Sequence, residues 1–128
     1  MTQLRQAIAS EAAPHPIAPY SQGIAWDKLI FISGQIPICP KTQQIPDALE
    51  DQTHQVLKNL LAVLDAAGCT SQHVLKTQVY TTVMTQFDVI NQIYRQYFTE
   101  PYPARAAIGV SQLPKAVLIE IEAIAVRA

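Results

Sequence analysis

The chain has 128 residues, of which 49% are hydrophobic and only 15% are charged, and its formal net charge at pH 7 is -1. A chain of this length and composition folds as one globular domain, residues 1–128, and is not disordered. With 9 lysine and arginine residues in all, it offers no basic surface for nucleic acid or an anionic membrane. We therefore expect neither of these as a partner.

The small charged fraction also predicts an oligomer, because it leaves little polar surface to cover a small domain. Residues 1–14 lack the apolar core of a secretion signal, and no apolar run is long enough to span a membrane. We therefore expect a cytoplasmic protein. Cys39 and Cys69 have neither metal-site spacing nor the numbers for a disulfide framework, so we expect two reduced thiols.

The N-terminal half predicts a hairpin framed by two loops. Residues 4–10 form either a short edge strand or a frayed end, and the prolines within residues 14–23 stiffen an ordered loop. Residues 24–26 and 29–33 are two strands joined by a two-residue turn, although the favoured glycine is absent. Residues 36–46 then form a long loop, and loops of this length are often functional.

The C-terminal half alternates helices and strands. Apolar residues recur at three- and four-residue steps over 48–67, with Gly68 placed as a helix cap, and again over 86–98, before Pro101. The strand-like segments of this half are residues 74–82, 103–110 and 117–126. The element order predicts an α+β fold with a mixed sheet of about six strands and two helices on one face. No helix remains for the other face, so we expect a neighbouring subunit to cover it.

The last predicted strand carries two carboxylates. Because strand side chains alternate between faces, Glu120 and Glu122 share one face, while the opposite face is wholly apolar. An ionised group on a covered strand is costly unless it is paired or titrates. Each glutamate is suited either to general acid or base catalysis or to a structural ion pair. The residues favour the structural role, because buried ion-pair networks also perturb carboxylates, and they do not rank Glu120 against Glu122.

Arg105 is the matching cation on the preceding strand, and it shares its face with the small residues Ala107 and Gly109. Its guanidinium is suited to binding a ligand carboxylate through two parallel hydrogen bonds. It is equally suited to an ion pair with Glu120 or Glu122 that only neutralises the strand. The two interpretations of Arg105 stay open on the residues alone.

Other polar side chains carry weaker signals. Tyr20 lies in the proline-rich loop and Ser33 at a strand end, where a hydroxyl either contacts a ligand or satisfies nearby backbone groups. His15, His54 and His73 show no catalytic or metal-ligand pattern, so we expect surface or capping roles for them. The chain has only 4 glycines and no phosphate-binding or metal-binding motif. We therefore expect no cofactor and no metal.

Four separated motifs stand out in the chain. They are Ala-Pro-Tyr-Ser-Gln at 18–22, Ser-Gly-Gln-Ile-Pro at 33–37, Phe98 with Pro-Ala-Arg at 103–105, and Ile-Glu-Ile-Glu-Ala-Ile-Ala-Val at 119–126. At this spacing, from about residue 8 to the C-terminus, the chain resembles the RidA/YjgF/UK114 family. The resemblance implies a chorismate-mutase-like fold and a homotrimer with three ligand clefts between subunits.

The resemblance also implies an activity. It implies an enamine/imine deaminase that hydrolyses reactive 2-imino acids, such as 2-iminobutanoate and 2-iminopropanoate, to 2-oxo acids and ammonia without a metal or cofactor. Arg105 matches the arginine that holds the substrate carboxylate, and Glu120 matches the acid that activates or orients water. The other positions that match the substrate-binding cleft are Tyr20, Ser33, Gly34, Asn91 and Ala107.

Three positions depart from the family pattern. Ala107 stands where many members have cysteine, which removes any role of that thiol and leaves only a backbone contact. Ala18 and Gln43 replace frequent glycines, which affects local turn geometry rather than the chemistry. Because Arg105 is present, the chain resembles the deaminase-competent branch of the family.

Other functions stay open beside the deaminase. A trimer of this fold is also suited to sensing a 2-oxo acid or contacting a partner enzyme, since fold does not fix function. Ribonuclease activity has been attached to the family, but the near-neutral charge offers little for phosphates. Chorismate mutase shares the fold, yet its dicarboxylate substrate would need a second cation beside Arg105, and the sequence does not place one.

Overall fold

The computed structural model describes residues 3–128 and contains one mixed sheet with two α-helices. The strands are β1 (Gln6–Ile8), β2 (Gly23–Trp26), β3 (Leu29–Gln35), β4 (Val74–Thr81), β5 (Ala104–Gly109) and β6 (Ile119–Val126), and the helices are α1 (Leu49–Ala66) and α2 (Phe87–Tyr94). The strand order across the sheet is β1-β2-β3-β6-β4-β5. Among the described strands, β4 and β5 are the one pair that runs parallel. The predicted mixed α+β fold is therefore confirmed.

The predicted hairpin is confirmed as β2 and β3, which pair antiparallel from Gly23 to Trp26. Its turn needs no glycine because Asp27 adopts the left-handed conformation, with φ at 54°, which aspartate tolerates better than most residues. The N-terminal segment forms the short strand β1 at the edge of the sheet, beside β2. Of the two alternatives for residues 4–10, the edge strand is the correct one.

Helix α1 begins and ends within one residue of the predicted 48–67. Its apolar stripe is fully buried against the sheet, and Gly68 follows it with φ at 77°, a left-handed conformation that favours glycine. Acidic residues in the first turn, Glu50 and Asp51, favour the helix because they lie at the positive end of its dipole. This helix supplies most of the core on one face of the sheet.

Helix α2 is shorter than the predicted 86–98. A 3-10 turn, Met84–Gln86, precedes it, and the α-helix ends at Tyr94. Phe98 nevertheless remains 1% exposed, because turns after the helix carry its ring into the core, with the Phe98 amide donating to the Tyr94 carbonyl. The apolar spacing therefore predicted the buried face correctly but not the point where the helix ends.

The two faces of the sheet differ in how far their side chains are buried. Ile119, Ile121 and Ala123 of β6 are buried under the helices. The other face carries exposed large apolar side chains on three strands. They are Trp26, Leu29, Phe31 and Ile108. The homotrimer that would cover this face stays a prediction. Within residues 3–128, neither helix has the length and hydropathy needed to cross a bilayer.

Candidate functional site

Arg105 lies on the edge strand β5 and faces the side of the sheet that carries the helices. Its register partner on β4 is Thr77, which is buried under α2. The guanidinium carbon lies 5.2 Å from the ring centre of Phe87 and 4.9 Å from that of Tyr94. Nη1 also donates to Oδ1 of Asn91 at 2.9 Å. One helix therefore holds this cation through two aromatic rings and one amide.

The spacing of these side chains along α2 explains how they converge on the guanidinium. Phe87, Asn91 and Tyr94 stand at i, i+4 and i+7, so they share one face of the helix. The hydroxyl of Tyr94 is hydrogen-bonded to Oγ1 of Thr77 at 2.7 Å, which fixes the ring against the sheet. We call Phe87, Asn91, Tyr94 and Arg105 the cationic half-site.

The carboxylate of Glu120 lies on the opposite face of the sheet. Its register partner on β4 is Tyr80, whereas Thr77, on the helix side, pairs with Ala123. Burial raises the pKa of Glu120 above its ordinary value, and the nearby negative charge of Glu122 raises it further. A carboxyl group with a raised pKa exchanges protons closer to neutral pH, as a general acid or base requires.

A bulge in β3 makes room for this carboxylate. The register between β3 and β6 shifts between Ile32 and Gln35, which places Ser33 and Gly34 opposite a single residue of β6. A Cβ built on Gly34 would overlap Oε2 of Glu120. Any other residue at position 34 would therefore displace the Glu120 carboxylate from this place. We call Ser33, Gly34 and Glu120 the carboxylate half-site.

Ser33 has its hydroxyl already engaged by the backbone. Its Oγ donates to the carbonyl of Ser21, and its amide donates to the carbonyl of Gln22 at 2.9 Å. These bonds tie the bulge to the loop that carries Tyr20. In this structure Ser33 therefore satisfies local backbone groups, which is one of the two roles that the sequence left open.

The structure separates the roles of the two glutamates. Glu122 accepts a hydrogen bond from the hydroxyl of Tyr80 at 2.8 Å. Within residues 3–128, the carboxylate of Glu120 accepts none. Glu122 is thus held by a neighbouring strand, while Glu120 retains its hydrogen-bonding capacity for a ligand or water.

The alternative of an ion pair between Arg105 and one of these glutamates is wrong for a single chain. Within residues 3–128, no lysine or arginine side chain lies within 4.0 Å of a carboxylate oxygen, and the one contact of this kind joins His15 Nε2 to Glu11 Oε2 at 3.2 Å. Strand register directs Arg105 and Glu120 to opposite faces of the sheet. One chain therefore carries both groups but cannot bring them to the same small ligand.

The remaining predicted ligand residues divide between the two half-sites. Tyr20 is 49% exposed and lines a cavity of about 270 Å³ together with Gly34, so it lies on the carboxylate side. Ala107 is exposed on β5, two residues after Arg105 and on the same face, so it lies on the cationic side. The resemblance implies that these residues line a cleft between subunits, and one chain presents them as two halves; their roles stay a prediction.

The sequence does not indicate two features of the site. It predicts Phe87 and Tyr94 only as part of an apolar helical stripe, because nothing in that pattern shows that Arg105 packs against it. Arg95 lines a cavity with Arg105 and is not among the predicted site residues. A cation one turn after Asn91 on a predicted helix was the signal available for it.

The structure gives no metal site within the described residues, where no three histidine, cysteine or acidic side chains cluster. Cys39 and Cys69 are both free thiols. Nδ1 of His73 accepts from the amide of Thr70 at 2.9 Å, and Nδ1 of His54 lies 2.8 Å from the hydroxyl of Tyr97. These histidines cap and brace the fold away from both half-sites.

The fold and the two half-sites define a class of protein: a small α+β domain with an arginine braced by a helix on one face of its sheet and a carboxylate of raised pKa on the other. Residues 10–127 match the family model described as Endoribonuclease L-PSP. The chain belongs to this family, the RidA/YjgF/UK114 family.

Individual relatives match over nearly the whole chain. A RutC family protein of Pyrococcus horikoshii is 51% identical over 123 residues, covering 95% of this chain and 98% of the relative. A human protein named 2-iminobutanoate/2-iminopropanoate deaminase is 42% identical over 125 residues, covering 97% of this chain and 91% of the relative. The crystal structure of Escherichia coli TdcF with bound serine aligns with a TM-score of 0.92 at 42% identity, covering 96% of this chain and 99% of that one.

Proposed function

We propose that this chain is an enamine/imine deaminase that hydrolyses 2-imino acids, such as 2-iminobutanoate and 2-iminopropanoate, to 2-oxo acids and ammonia. The proposal rests on the contacts of Arg105. Its guanidinium is held by α2 and, within residues 3–128, donates one hydrogen bond to the protein, to Asn91. The other N–H groups are left for a carboxylate. The deaminase names of relatives such as the human protein support the same activity.

Hydrolysis of a 2-imino acid needs one group that binds its carboxylate and one group that accepts and donates protons. Arg105 binds the carboxylate of the 2-imino acid and so fixes the C=N carbon. Glu120 accepts a proton from water as the water oxygen bonds to that carbon, and the C=N electron pair moves to nitrogen. Glu120 returns this proton to nitrogen, which gives a carbinolamine. Glu120 then takes the proton of the carbinolamine hydroxyl and delivers it to nitrogen as the C=O bond forms and the C–N bond breaks, so that a 2-oxo acid and ammonia leave. A carboxyl of raised pKa suits these transfers.

The proposal includes a homotrimer with each site between two subunits. Because Arg105 and Glu120 lie on opposite faces of one sheet, the clamp of one chain must meet the carboxylate of another. The exposed apolar face supplies a surface for that contact, since Trp26, Leu29 and Phe31 lie on the same side of the sheet as Glu120.

The test is ammonia release from 2-iminobutanoate generated in situ, compared with its spontaneous hydrolysis. Wild type is expected to accelerate the release, and Arg105→Ala to lower kcat/KM by about 100-fold or more, as removal of a charge-stabilising group does. Equal rates for the two proteins would overturn the deaminase. The molar mass in solution, by light scattering, tests the trimer separately.

A ligand-binding or regulatory trimer is the second candidate. It is favoured by the solved structure of TdcF, which holds a bound serine. In that case 2-oxobutanoate would bind to wild type and not to Arg105→Ala, while neither protein accelerated imine hydrolysis. Calorimetric titration alongside the ammonia assay therefore separates the two functions.

The ribonuclease that the description of the family model suggests is not our proposal for this chain. With a net charge of -1, the chain lacks the basic surface that binds a phosphate backbone. RNA binding that weakens steeply with added salt would argue for it. We expect no such binding in a gel-shift titration at low ionic strength.

A further inference from the structure

A cavity of about 280 Å³ lies beside Arg105, between the C-terminal end of α2 and the start of β5. Its lining contains two arginines, two tyrosines and no carboxylate. The lining residues are Asn91, Tyr94, Arg95, Tyr102, Pro103 and Arg105. A cavity with two cations and no internal counter-charge is suited to an anion that carries two negative charges.

Arg95 is the second cation of this cavity. It stands at the C-terminal cap of α2, four residues after Asn91, so it follows the Arg105 partner by one helical turn. Its side chain is exposed, and within residues 3–128 its guanidinium forms neither an ion pair nor a hydrogen bond. The helix dipole favours a cation at this end. The dipole does not account for a guanidinium that lines the same cavity as Arg105.

The two arginines are held differently. Arg105 is fixed against Phe87 and Tyr94 and bonded to Asn91, so it gives a stationary reference point for one carboxylate. Arg95 has no such support, and its long side chain can adjust to the second charge of a ligand. A fixed clamp and an adjustable one suit ligands whose two anionic groups are separated by a short carbon chain.

We propose that Arg95 selects 2-imino dicarboxylates, with Arg105 binding the carboxylate next to the imino carbon and Arg95 binding the distal one. The inference rests on the proposed function for the imino group and goes beyond it in substrate class. It also supplies the second cation that the sequence did not place. Binding of a dicarboxylate by this cavity is measurable whether or not the chain is a deaminase.

The binding test uses two 2-oxo acids with equal carbon number, 2-oxopentanedioate and 2-oxopentanoate. Exposed charge pairs are weak, while guanidinium–carboxylate pairs with two hydrogen bonds are stronger. We therefore expect the dicarboxylate to bind wild type about three- to tenfold more tightly in calorimetric titration. Arg95→Gln should abolish this advantage and leave 2-oxopentanoate unchanged. Arg95→Lys, which keeps the charge, should retain part of it.

Two further variants serve as controls for the binding test. Lys58→Gln removes the same charge from the exposed side of α1 and should keep the preference, which excludes a general effect of net charge. Arg105→Ala should weaken both ligands. Circular dichroism should show Arg95→Gln folded, since its side chain is exposed. The inference is overturned if wild type binds the dicarboxylate no better, if Arg95→Gln keeps the preference, or if neither ligand binds.

The activity arm distinguishes this inference from the deaminase itself. Ammonia release is measured from the corresponding five-carbon imino acids, generated in situ by a flavin-dependent amino-acid oxidase. Arg95→Gln should lower kcat/KM about three- to tenfold for the dicarboxylate alone, through KM. If wild type binds the dicarboxylate through Arg95 but accelerates neither hydrolysis, the deaminase fails and the two-cation site stands. If both imines are hydrolysed equally well, the deaminase stands and the selectivity fails.

Discussion

The cationic and carboxylate half-sites are built by different means. The first uses regular structure: three side chains on one face of α2 hold Arg105 by rings and an amide. The second uses an irregularity: a bulge at Ser33 and Gly34 leaves space that the Glu120 carboxylate fills. The cation is braced by three side chains, whereas the carboxylate has no hydrogen-bond partner in the described chain.

The difference shows which substitutions each half-site tolerates. A braced cation depends on several weak contacts, of about 0.5–2 kcal/mol for each ring, so the loss of one contact weakens the site without destroying it. A carboxylate in a fitted space depends on one glycine and one charge. Damage to the carboxylate half-site should therefore be the more severe, and four predictions test this ordering.

The largest effect is expected from Glu120→Gln. Glutamine keeps the shape of the side chain and cannot carry the proton, so kcat for imine hydrolysis should fall by about 100- to 10,000-fold. Binding of 2-oxobutanoate, which needs Arg105, should change little. A variant that kept wild-type kcat would show that Glu120 carries no proton in the reaction.

Gly34→Ala should have the next largest effect. A methyl group there occupies the position of Oε2 of Glu120, and the flexible carboxylate can move away at little cost in stability. Displacement of a catalytic group by about 1 Å lowers rates by up to about 100-fold. The matched control is Gly109→Ala, whose Cβ would lie 3.6 Å from Met84, an ordinary contact. Equal activity of the two variants, in kcat/KM for 2-iminobutanoate, would refute the fitted-space interpretation.

Tyr94→Leu should weaken the cationic half-site more mildly. Loss of the ring next to Arg105 should raise the Kd of 2-oxobutanoate by about 2- to 30-fold. Tyr94→Phe keeps the ring and loses only the bond to Thr77, so its effect should be smaller. Tyr97→Phe removes a comparable hydroxyl, bonded to His54, and should leave the Kd unchanged. Indistinguishable Kd values for Tyr94→Leu and Tyr97→Phe would show that the ring does not hold Arg105.

Glu122→Gln should change the pH dependence more than the maximal rate. Burial and the charge of Glu122 both raise the pKa of Glu120, so activity that needs ionised Glu120 is lost on acidification at a higher pH than for an ordinary glutamate. Removing the Glu122 charge should move this acidic limb of kcat/KM to lower pH, while burial keeps part of the shift. Glu50→Gln, on the first turn of α1, should leave the limb in place. A limb unmoved by Glu122→Gln would mean that the two carboxylates do not interact.

Much of the fold could be predicted because its signals are local. Alternation along 119–126 gave the buried and open faces of β6 correctly, as the burial of Ile119 and Ile121 shows. The predicted end of α2 is wrong, because the apolar stripe continues to Phe98 through turns that bury the same face. Apolar spacing reports burial, and burial does not need an unbroken helix.

The sequence indicates individual candidate site residues but not their arrangement in space. The pairing that sets Arg105 beside Thr77 and Glu120 beside Tyr80 joins distant segments, and register between them is not contained in either segment alone. For this reason, the sequence alone could not exclude an ion pair between Arg105 and one of the two glutamates. Arg95 was missed likewise, since its proximity to Arg105 depends on how α2 lies across β5.

The opposite orientations of Arg105 and Glu120 imply that two inactive variants can complement each other. If each working site takes its clamp from one subunit and its acid from another, Arg105→Ala and Glu120→Gln chains damage different halves of it. Two inactive proteins, unfolded together and reassembled in equal amounts, should then complement each other and recover about one quarter of the wild-type sites. Ammonia release from the mixture measures this recovery. Sites contained within single chains would show none.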